Sequence, residues 1–435
     1  MGAFRINRRR FLLGGAATLA LAGGGYYVSR RPMKMALIGA GFRGKALSAS
    51  MSQLYWLPGR SPDIVGICDV DSRHAEDVRN AHWPKAELYG DYRKVIERDD
   101  IKAVVIATPD HWHALIAYHA LKAGKAVYCE KPLGLTIAEG KLLVKTVQET
   151  GGIFQSGTQQ RSDWKFRTAA ELVRNDRLGK IHKITIVLPQ RWKGKEPGPF
   201  ATSVPPPELD FNQWLGQAPE VGYCSERVHG LFRRWFEYAG GTLTDWGAHH
   251  MDIAHWAMDM DNSGPQTIEG KAELPNIPNG FNTPMVFNVN LHYANGVHVQ
   301  AKTDDDETLN GITFEGDKGK IFVSRSKLEG PAVDELRDRP LGKDSIRLHD
   351  SDAHQKNVLS YHILQFFDCI DDQAKPISDI VGQHRSVSAC HLANIAMRLG
   401  RKMHWDPVKE EFINDTAANA MIGRPQRAPY QLPVG

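Results

Sequence analysis

With 435 residues, 42% of them hydrophobic and 24% charged, the chain is long enough to bury a large core divided between two domains, which excludes a disordered or fibrous protein. Its 54 basic and 50 acidic side chains leave a formal charge of only +4, so no overall field marks a nucleic-acid binder. A substrate of modest charge suits it better.

The run Asn7-Arg8-Arg9-Arg10-Phe11-Leu12-Leu13 leads into an apolar stretch ending near Ala22. A basic head followed by roughly a dozen apolar residues is too short to cross a bilayer as a stable helix and reads as a targeting segment. Arg8-Arg9 ahead of Phe11-Leu12 resembles the twin-arginine export signal, with Asn7 where that signal often carries Ser or Thr. Such signals export proteins already folded, often with their cofactor bound, and Ala20-Leu21-Ala22 offers a cleavage site. Residues 1–32 are therefore expected to be an export signal and linker read by the twin-arginine machinery. The mature protein is expected to be periplasmic or otherwise exported, with no stable membrane span after cleavage. An uncleaved anchor or an ordered N-terminal arm is the competing reading.

Met33 to Ile38 is an apolar strand that feeds into Gly39-Ala40-Gly41-Phe42-Arg43-Gly44. Strand, G-x-G-x-x-G and a following helix over Lys45–Met51 together suit a dinucleotide: the glycines permit a tight turn and close pyrophosphate approach, and the helix amides face the phosphates. A second strand, Asp63 to Cys68, ends at Asp69, whose carboxylate can accept from an adenosine ribose and repel an added phosphate. NAD is favoured, with NADP left open by Arg73. Further β/α units follow: strand Ala103–Ala107, exit Thr108-Pro109-Asp110-His111-Trp112-His113 and helix His113–Ala123. Then come strand Lys125–Cys129, Glu130-Lys131-Pro132, helix Ile137–Glu149 and a last strand over Gly152–Gly157. This alternation predicts a doubly wound parallel sheet over 33–160. Loops at the carboxyl ends of such strands gather at the cofactor, which nominates Thr108, Pro109, His113, Glu130, Lys131 and Gln159 beside Gly39, Gly41, Phe42, Arg43, Gly44 and Asp69.

Lys131 follows a strand and precedes a proline that restricts its backbone, so its ammonium can be held to donate to a substrate oxygen or exchange a proton with it. His111 and His113 stand two apart and suit a pocket wall better than a metal pair. The five cysteines, Cys68, Cys129, Cys224, Cys369 and Cys390, form neither a metal-ligand spacing nor a disulfide framework, so no metal site is expected.

Beyond residue 160 the β/α rhythm weakens and aromatic residues crowd together with polar ones. A sugar ring presents C–H faces and hydroxyls, and Trp164, Arg191, Trp192, Arg234, Trp235 and His250 are the candidates to contact one, although a single tryptophan more often serves the core. The segment Gly240-Gly241-Thr242-Leu243-Thr244-Asp245-Trp246-Gly247-Ala248-His249-His250-Met251-Asp252 places Asp245 and His249 four apart, on one helical face. The carboxylate is expected to orient the imidazole and favour its protonated form, while the other ring nitrogen exchanges a proton with a substrate hydroxyl. An N-terminal Asp beside a structural histidine is the plainer alternative, and Asp252 suits a supporting role. Strand-like runs at Met285–Tyr293, Val297–Ala301, Gly311–Gly316 and Lys320–Ser324 predict an antiparallel or mixed sheet. Helices over Asn357–Cys369 and Gln383–Leu399 follow, then a packed extension over 401–435.

Ala36-Leu37-Ile38-Gly39-Ala40-Gly41-Phe42-Arg43-Gly44, Glu130-Lys131-Pro132 and Asp245-Trp246-Gly247-Ala248-His249-His250-Met251-Asp252, in that order, resemble the Gfo/Idh/MocA oxidoreductase family over about residues 33 to 400. The resemblance implies a Rossmann domain followed by an α/β domain over 161–400 with a large, mostly antiparallel sheet, often used in homo-oligomers. Lys131 aligns with the lysine of the family's E-K-P motif, and Asp245 and His249 match its D-x-x-x-H pair. The implied activity is nicotinamide-dependent oxidation or reduction of a sugar or polyol, with the nucleotide staying tightly bound if the folded protein is exported. Related members include glycosidases that oxidise a sugar transiently, eliminate its substituent, add water and return the hydride. That redox-assisted cleavage of a glycoside is the alternative reading.

Overall fold

The computed structural model describes residues 32–54, 61–190, 196–348 and 357–433. The expected export signal and two of the expected substrate contacts, Arg191 and Trp192, lie outside the described residues.

Strand β1 (Met33–Ile38), helix α1 (Phe42–Leu54), β2 (Pro62–Cys68), α2 (Ser72–His82), β3 (Glu87–Tyr89), α3 (Tyr92–Ile96), β4 (Ala103–Ile106), α4 (Asp110–Lys122), β5 (Ala126–Cys129), α5 (Ile137–Thr150) and β6 (Phe154–Ser156) follow one another. Their parallel sheet has the order β3-β2-β1-β4-β5-β6, so the strand order, not the strand direction, reverses between β1 and β4. Every residue of β4 and β5 is buried, as expected of strands covered on both faces. Helix α4 starts at Asp110 rather than His113, because Pro109 supplies the extended cap and both histidines fall inside the first helical turn. A Thr136/Glu139 capping box opens α5 and left-handed Gly151 closes it.

The chain then runs through α6 (Trp164–Arg174), β7 (Ile181–Pro189), a long non-strand segment, α7 (Thr242–Met258), β8 (Thr267–Ala272), β9 (Phe287–His292), β10 (His298–Asp304), β11 (Gly311–Gly316), β12 (Gly319–Val323) and β13 (Leu328–Glu329). Next come α8 (Val358–Asp372), α9 (Ile380–Leu399), β14 (Met403–Asp406) and β15 (Glu411–Phe412). The nine-stranded sheet has the order β13-β12-β11-β7-β10-β9-β8-β14-β15, and only β7 with β10 pairs parallel. Ile184, Ile186 and Leu188 of β7 are fully buried, as are Val289 and Leu291 of β9 and Val299 and Ala301 of β10. They share one core with residues of α6, α7 and α9, while the alternate residues form a polar, half-exposed outer face. The central strand β7 went unread in the sequence, although its alternation is plain in retrospect.

Helix α8 returns to the first sheet, where Ile363, Phe366 and Phe367 pack with Leu47, Met51 and Ile67. A third, aromatic core occupies the segment between β7 and α7 and joins Phe211, Trp214, Tyr223, Phe232, Trp235 and Tyr238 to Phe281. The terminal segment ties this aromatic module to the first domain, since Arg427 donates to the Asn212 and Gly216 carbonyls and Tyr430 sets its ring 5.3 Å from that of Trp112 on α4. No helix among the described residues is long and apolar enough to cross a membrane.

Candidate active site

A cleft of about 760 Å³ opens at the carboxyl ends of β1 and β4, where the strand order reverses. Its floor is the glycine turn. Gly39 adopts φ +91°, and a Cβ there would come within 2.6 Å of the Ala107 and Thr108 backbone. At Gly44 a Cβ would meet the Gly39 carbonyl at 2.0 Å, so this glycine lies beneath the turn and lets α1 close on it. Gly41 faces open space, with the His74 ring the nearest group at 3.8 Å, and Phe42 stands 92% exposed at the rim. The backbone thus leaves room for a pyrophosphate over the start of α1, and a dinucleotide fits the cradle.

Asp69 ends β2 as expected, and its carboxylate accepts from the amides of Ala40 (2.6 Å) and Asp71 (2.9 Å). Burial raises its pKa, and the two backbone donors oppose that rise. Arg43 crosses the cleft, donating from Nε to Glu130 at 2.7 Å and from Nη2 to Gln159 at 3.4 Å. Gly157 leaves space for that glutamate, since a Cβ there would lie 2.6 Å from its carboxylate carbon. Thr108 and Pro109 line the same wall, and His113 is fixed between the carbonyls of Pro132 (2.7 Å) and Thr108 (2.9 Å).

At the other end of the cleft stand Lys131, Asp245 and His249. Lys131 Nζ donates to the Asp245 carboxylate and, at 3.0 Å, to its carbonyl. Arg233 Nε lies 3.4 Å from the same carboxylate. His249 follows one turn later on α7 and is 5% exposed, with no hydrogen-bond partner for its buried Nδ1 among the described residues. Burial first, then the charges of Arg325 and Lys131, hold its pKa well below the usual histidine value. The expectation that Asp245 favours an imidazolium therefore needs correction: the carboxylate faces two cations, and burial favours the neutral imidazole. A neutral ring is the form that can accept a hydroxyl proton.

Sequence reasoning passed over Asp110, and it counted Arg233 among the polar heads of the aromatic region but selected Arg234 as the substrate contact. Asp110 lines the cleft and is 5% exposed, and burial pushes its pKa up to about 7 against the pull of Arg233 and Lys131. Its signal was an acid in the first turn of a helix that starts at a strand's carboxyl end. Of the arginine pair it is Arg233, not Arg234, that reaches the cleft.

Several expected substrate contacts sit elsewhere. Arg234 is 1% exposed, lies 4.0 Å over the Phe281 ring and points to the Met285 sulfur; its burial lowers the guanidinium pKa to about 10. Trp235 is equally buried, donating to the Glu226 carbonyl at 2.7 Å under the Arg227 guanidinium, so it builds the aromatic core instead of the cleft wall. His250 is rotated by the helical step away from His249 and meets Asn310 at 2.9 Å, with its pKa pushed down to about 4 by burial. Trp164 opens α6 outside the cleft lining, its ring beside the Lys165 ammonium. Trp246 takes the place expected of these rings, lining the cleft with the Arg325 guanidinium 4.4 Å above it. Asp252 is fully buried and held by Arg161 and Gln383.

Two family models match the chain. Residues 33–158 fit the NAD-binding Rossmann fold of an oxidoreductase family, and residues 170–432 fit the C-terminal α/β domain of the same Gfo/Idh/MocA group. A levoglucosan dehydrogenase from Pseudarthrobacter phenanthrenivorans is 30% identical over 173 residues, 39% of this chain and 44% of that protein. A glycosyl hydrolase family 109 protein from Shewanella sp. strain MR-4 is 35% identical over 126 residues, 27% of this chain and 26% of the relative. These alignments span less than half of either curated relative. Among solved structures, an aldose-aldose oxidoreductase from Caulobacter crescentus complexed with glycerol superimposes with a TM-score of 0.63 at 16% identity, over 86% of this chain and all of the other.

Proposed function

The chain belongs to the Gfo/Idh/MocA oxidoreductase family, and from that premise we propose that it oxidises or reduces a carbinol carbon of a sugar or sugar-like polyol with a nicotinamide cofactor. The observation that carries this reading is the continuity of one cleft from the glycine cradle to the Lys131, Asp245 and His249 group. NAD, when bound, supplies the hydride acceptor or donor. Lys131, held by Asp245, donates to the substrate oxygen and stabilises its developing negative charge. His249 accepts the hydroxyl proton as the carbinol is oxidised. Asp110, its pKa raised to about 7 by burial against the pull of Arg233 and Lys131, lines the same cleft as a further group able to hold a proton. Arg73 is engaged by Glu208 at 2.5 Å, which turns it from a 2′-phosphate and, with Asp69, favours NAD over NADP.

The export signal read in residues 1–32 argues for a periplasmic protein whose nucleotide stays bound. Hydride returned to a second sugar would then regenerate the cofactor, and the polar outer face of the large sheet would serve a homo-oligomer. A second reading is redox-assisted glycoside cleavage, favoured by the likeness to the glycosyl hydrolase family 109 protein. Product and cofactor balance separates the two, measured by mass spectrometry and nicotinamide absorbance on cofactor-containing protein with a panel of free sugars and glycosides. A keto-sugar formed with matching reduction of NAD or of a second sugar supports net oxidation. Aglycone release with NAD unchanged at completion overturns it in favour of cleavage.

A further inference from the structure

At the far end of the cleft from Lys131, three side chains that no chemistry above requires converge on one point. Asp71 and His74 come from the start of α2, and His229 comes from the aromatic module 155 positions later in the chain. One potential ligand atom from each lies within 4.8 Å of the others; Asp71 Oδ2 is 3.9 Å from His229 Nε2, and the two imidazole rings stand 4.9 Å apart. Asp71 is 1% exposed. Its Oδ1 accepts from the Arg73 amide as the cap of α2, but its Oδ2 is buried with no hydrogen-bond partner among the described residues. An unpaired carboxylate oxygen in such a place normally costs free energy unless something positive completes it. His229 is moreover held at φ +52°, a left-handed conformation uncommon for a residue with a side chain.

We propose that Asp71, His74 and His229 form a binding site for a transition-metal ion of the zinc class, and that the ion clamps the aromatic module to the Rossmann domain over the cofactor. Two imidazoles and one carboxylate select zinc or cobalt over magnesium or calcium, which prefer all-oxygen shells, and three protein ligands leave a fourth tetrahedral position for water. Ligand atoms around such an ion stand about 3.3 Å apart, so modest side-chain rotations close the present spacing. The seam between the domains runs through this point: Asp71 pairs with Leu209 in an isolated antiparallel bridge, and the Ser72 amide donates to the Glu208 carbonyl at 3.0 Å. All three ligands line the cleft beside Asp69, so an ion here would have to release a ligand before the module could lift off the nucleotide. This clamp rests on the reading that the cleft retains a dinucleotide, whereas metal uptake itself can be counted without any substrate.

The test uses tag-free full-length protein, stripped with a chelator, reloaded with zinc or cobalt chloride and desalted before metal analysis. About one ion per chain is expected, with the intense visible absorption of four-coordinate cobalt. His229→Ala and His74→Ala should each weaken uptake on the order of 100-fold, and circular dichroism establishes that they fold. Negligible retention by the wild-type chain, or equal uptake by the folded variants, overturns the site. Loss of bound NADH, followed by fluorescence on dilution, should slow roughly tenfold when metal is present. An unchanged rate with a full complement of metal overturns the clamp, and sugar turnover with an empty site leaves the redox reading standing while removing this one.

Discussion

The glycine cradle and the aromatic module face each other across the same cleft, yet they are specified in different ways. The cradle is local: Gly39 to Gly44, Asp69 and Glu130-Lys131 each end a strand of one sheet, so a contiguous motif and the parallel topology together place every group. The module is assembled from non-strand chain between β7 and α7, from Phe281 and from the terminal Arg424 and Arg427, and its rings pack on one another. Aromatic and basic residue types look alike there whether they face a ligand or a core. In one region residue type reveals role, and in the other only position does.

Acid should produce the largest effect, and it reaches the aromatic module through His111, which packs against Trp214 and Tyr238, and the rest of the fold through four further rings. His250, His255, His362 and His391 are buried with pKa values pushed down to about 4, and His111 to about 3. The unfolded chain protonates these rings near the ordinary value of about 6.5, so it binds more protons than the fold between there and about 4. Stability present above pH 6.5 is therefore lost as the pH falls, by up to about 1.4 kcal/mol per ring per pH unit. Asp110, raised to about 7, acts oppositely: its contribution is present below the ordinary carboxylate range and lost as the pH rises towards 7. Thermal unfolding followed from pH 8 to 4 should show a steep net fall below 6.5, and a flat profile would contradict the burial of these rings.

Trp235→Ala should cost roughly 3–5 kcal/mol in denaturant unfolding, because it empties the aromatic core. If it instead left stability intact and raised KM, Trp235 would belong to the cleft. Lys131→Met should lower kcat on the order of 1,000-fold while NAD remains bound, a split readable in single-turnover absorbance. Equal loss of cofactor would move Lys131 from the chemistry to the cradle. Arg233→Ala should reduce kcat/KM on the order of 100-fold, whereas Arg234→Ala should show first as a lowered Tm with kinetics of the surviving fold little changed. Asp69→Ala should weaken NAD about tenfold and narrow its preference over NADP, checked by equilibrium titration with both nucleotides.

How much could be read in advance follows the same division. The parallel sheet was legible because β4 and β5 are short unbroken apolar runs between helical segments, and because the glycine turn follows β1 directly. Strand β7 was not, since Ile181–Pro189 carries no flanking motif and gains its central place only by pairing with β10 and β11, more than a hundred residues on. His249 could be nominated from its spacing to Asp245, but its neutral state depends on burial and on Arg325 and Lys131, which the spacing does not record.

By itself, then, the sequence determined the cradle, the order of the domains and the placing of Asp245 and His249 on one helical face, because hydrophobic period, turn glycines and i,i+4 spacing are local properties of the chain, whereas Lys131 joined that pair through the family resemblance. Tertiary structure alone decided that Arg233 faces the cleft while Arg234 is buried, that Asp110 titrates near neutrality, and that Asp71 and His74 meet His229. Those outcomes depend on which distant segments pack together and on the desolvation they impose, and neither burial nor proximity is encoded at any single position.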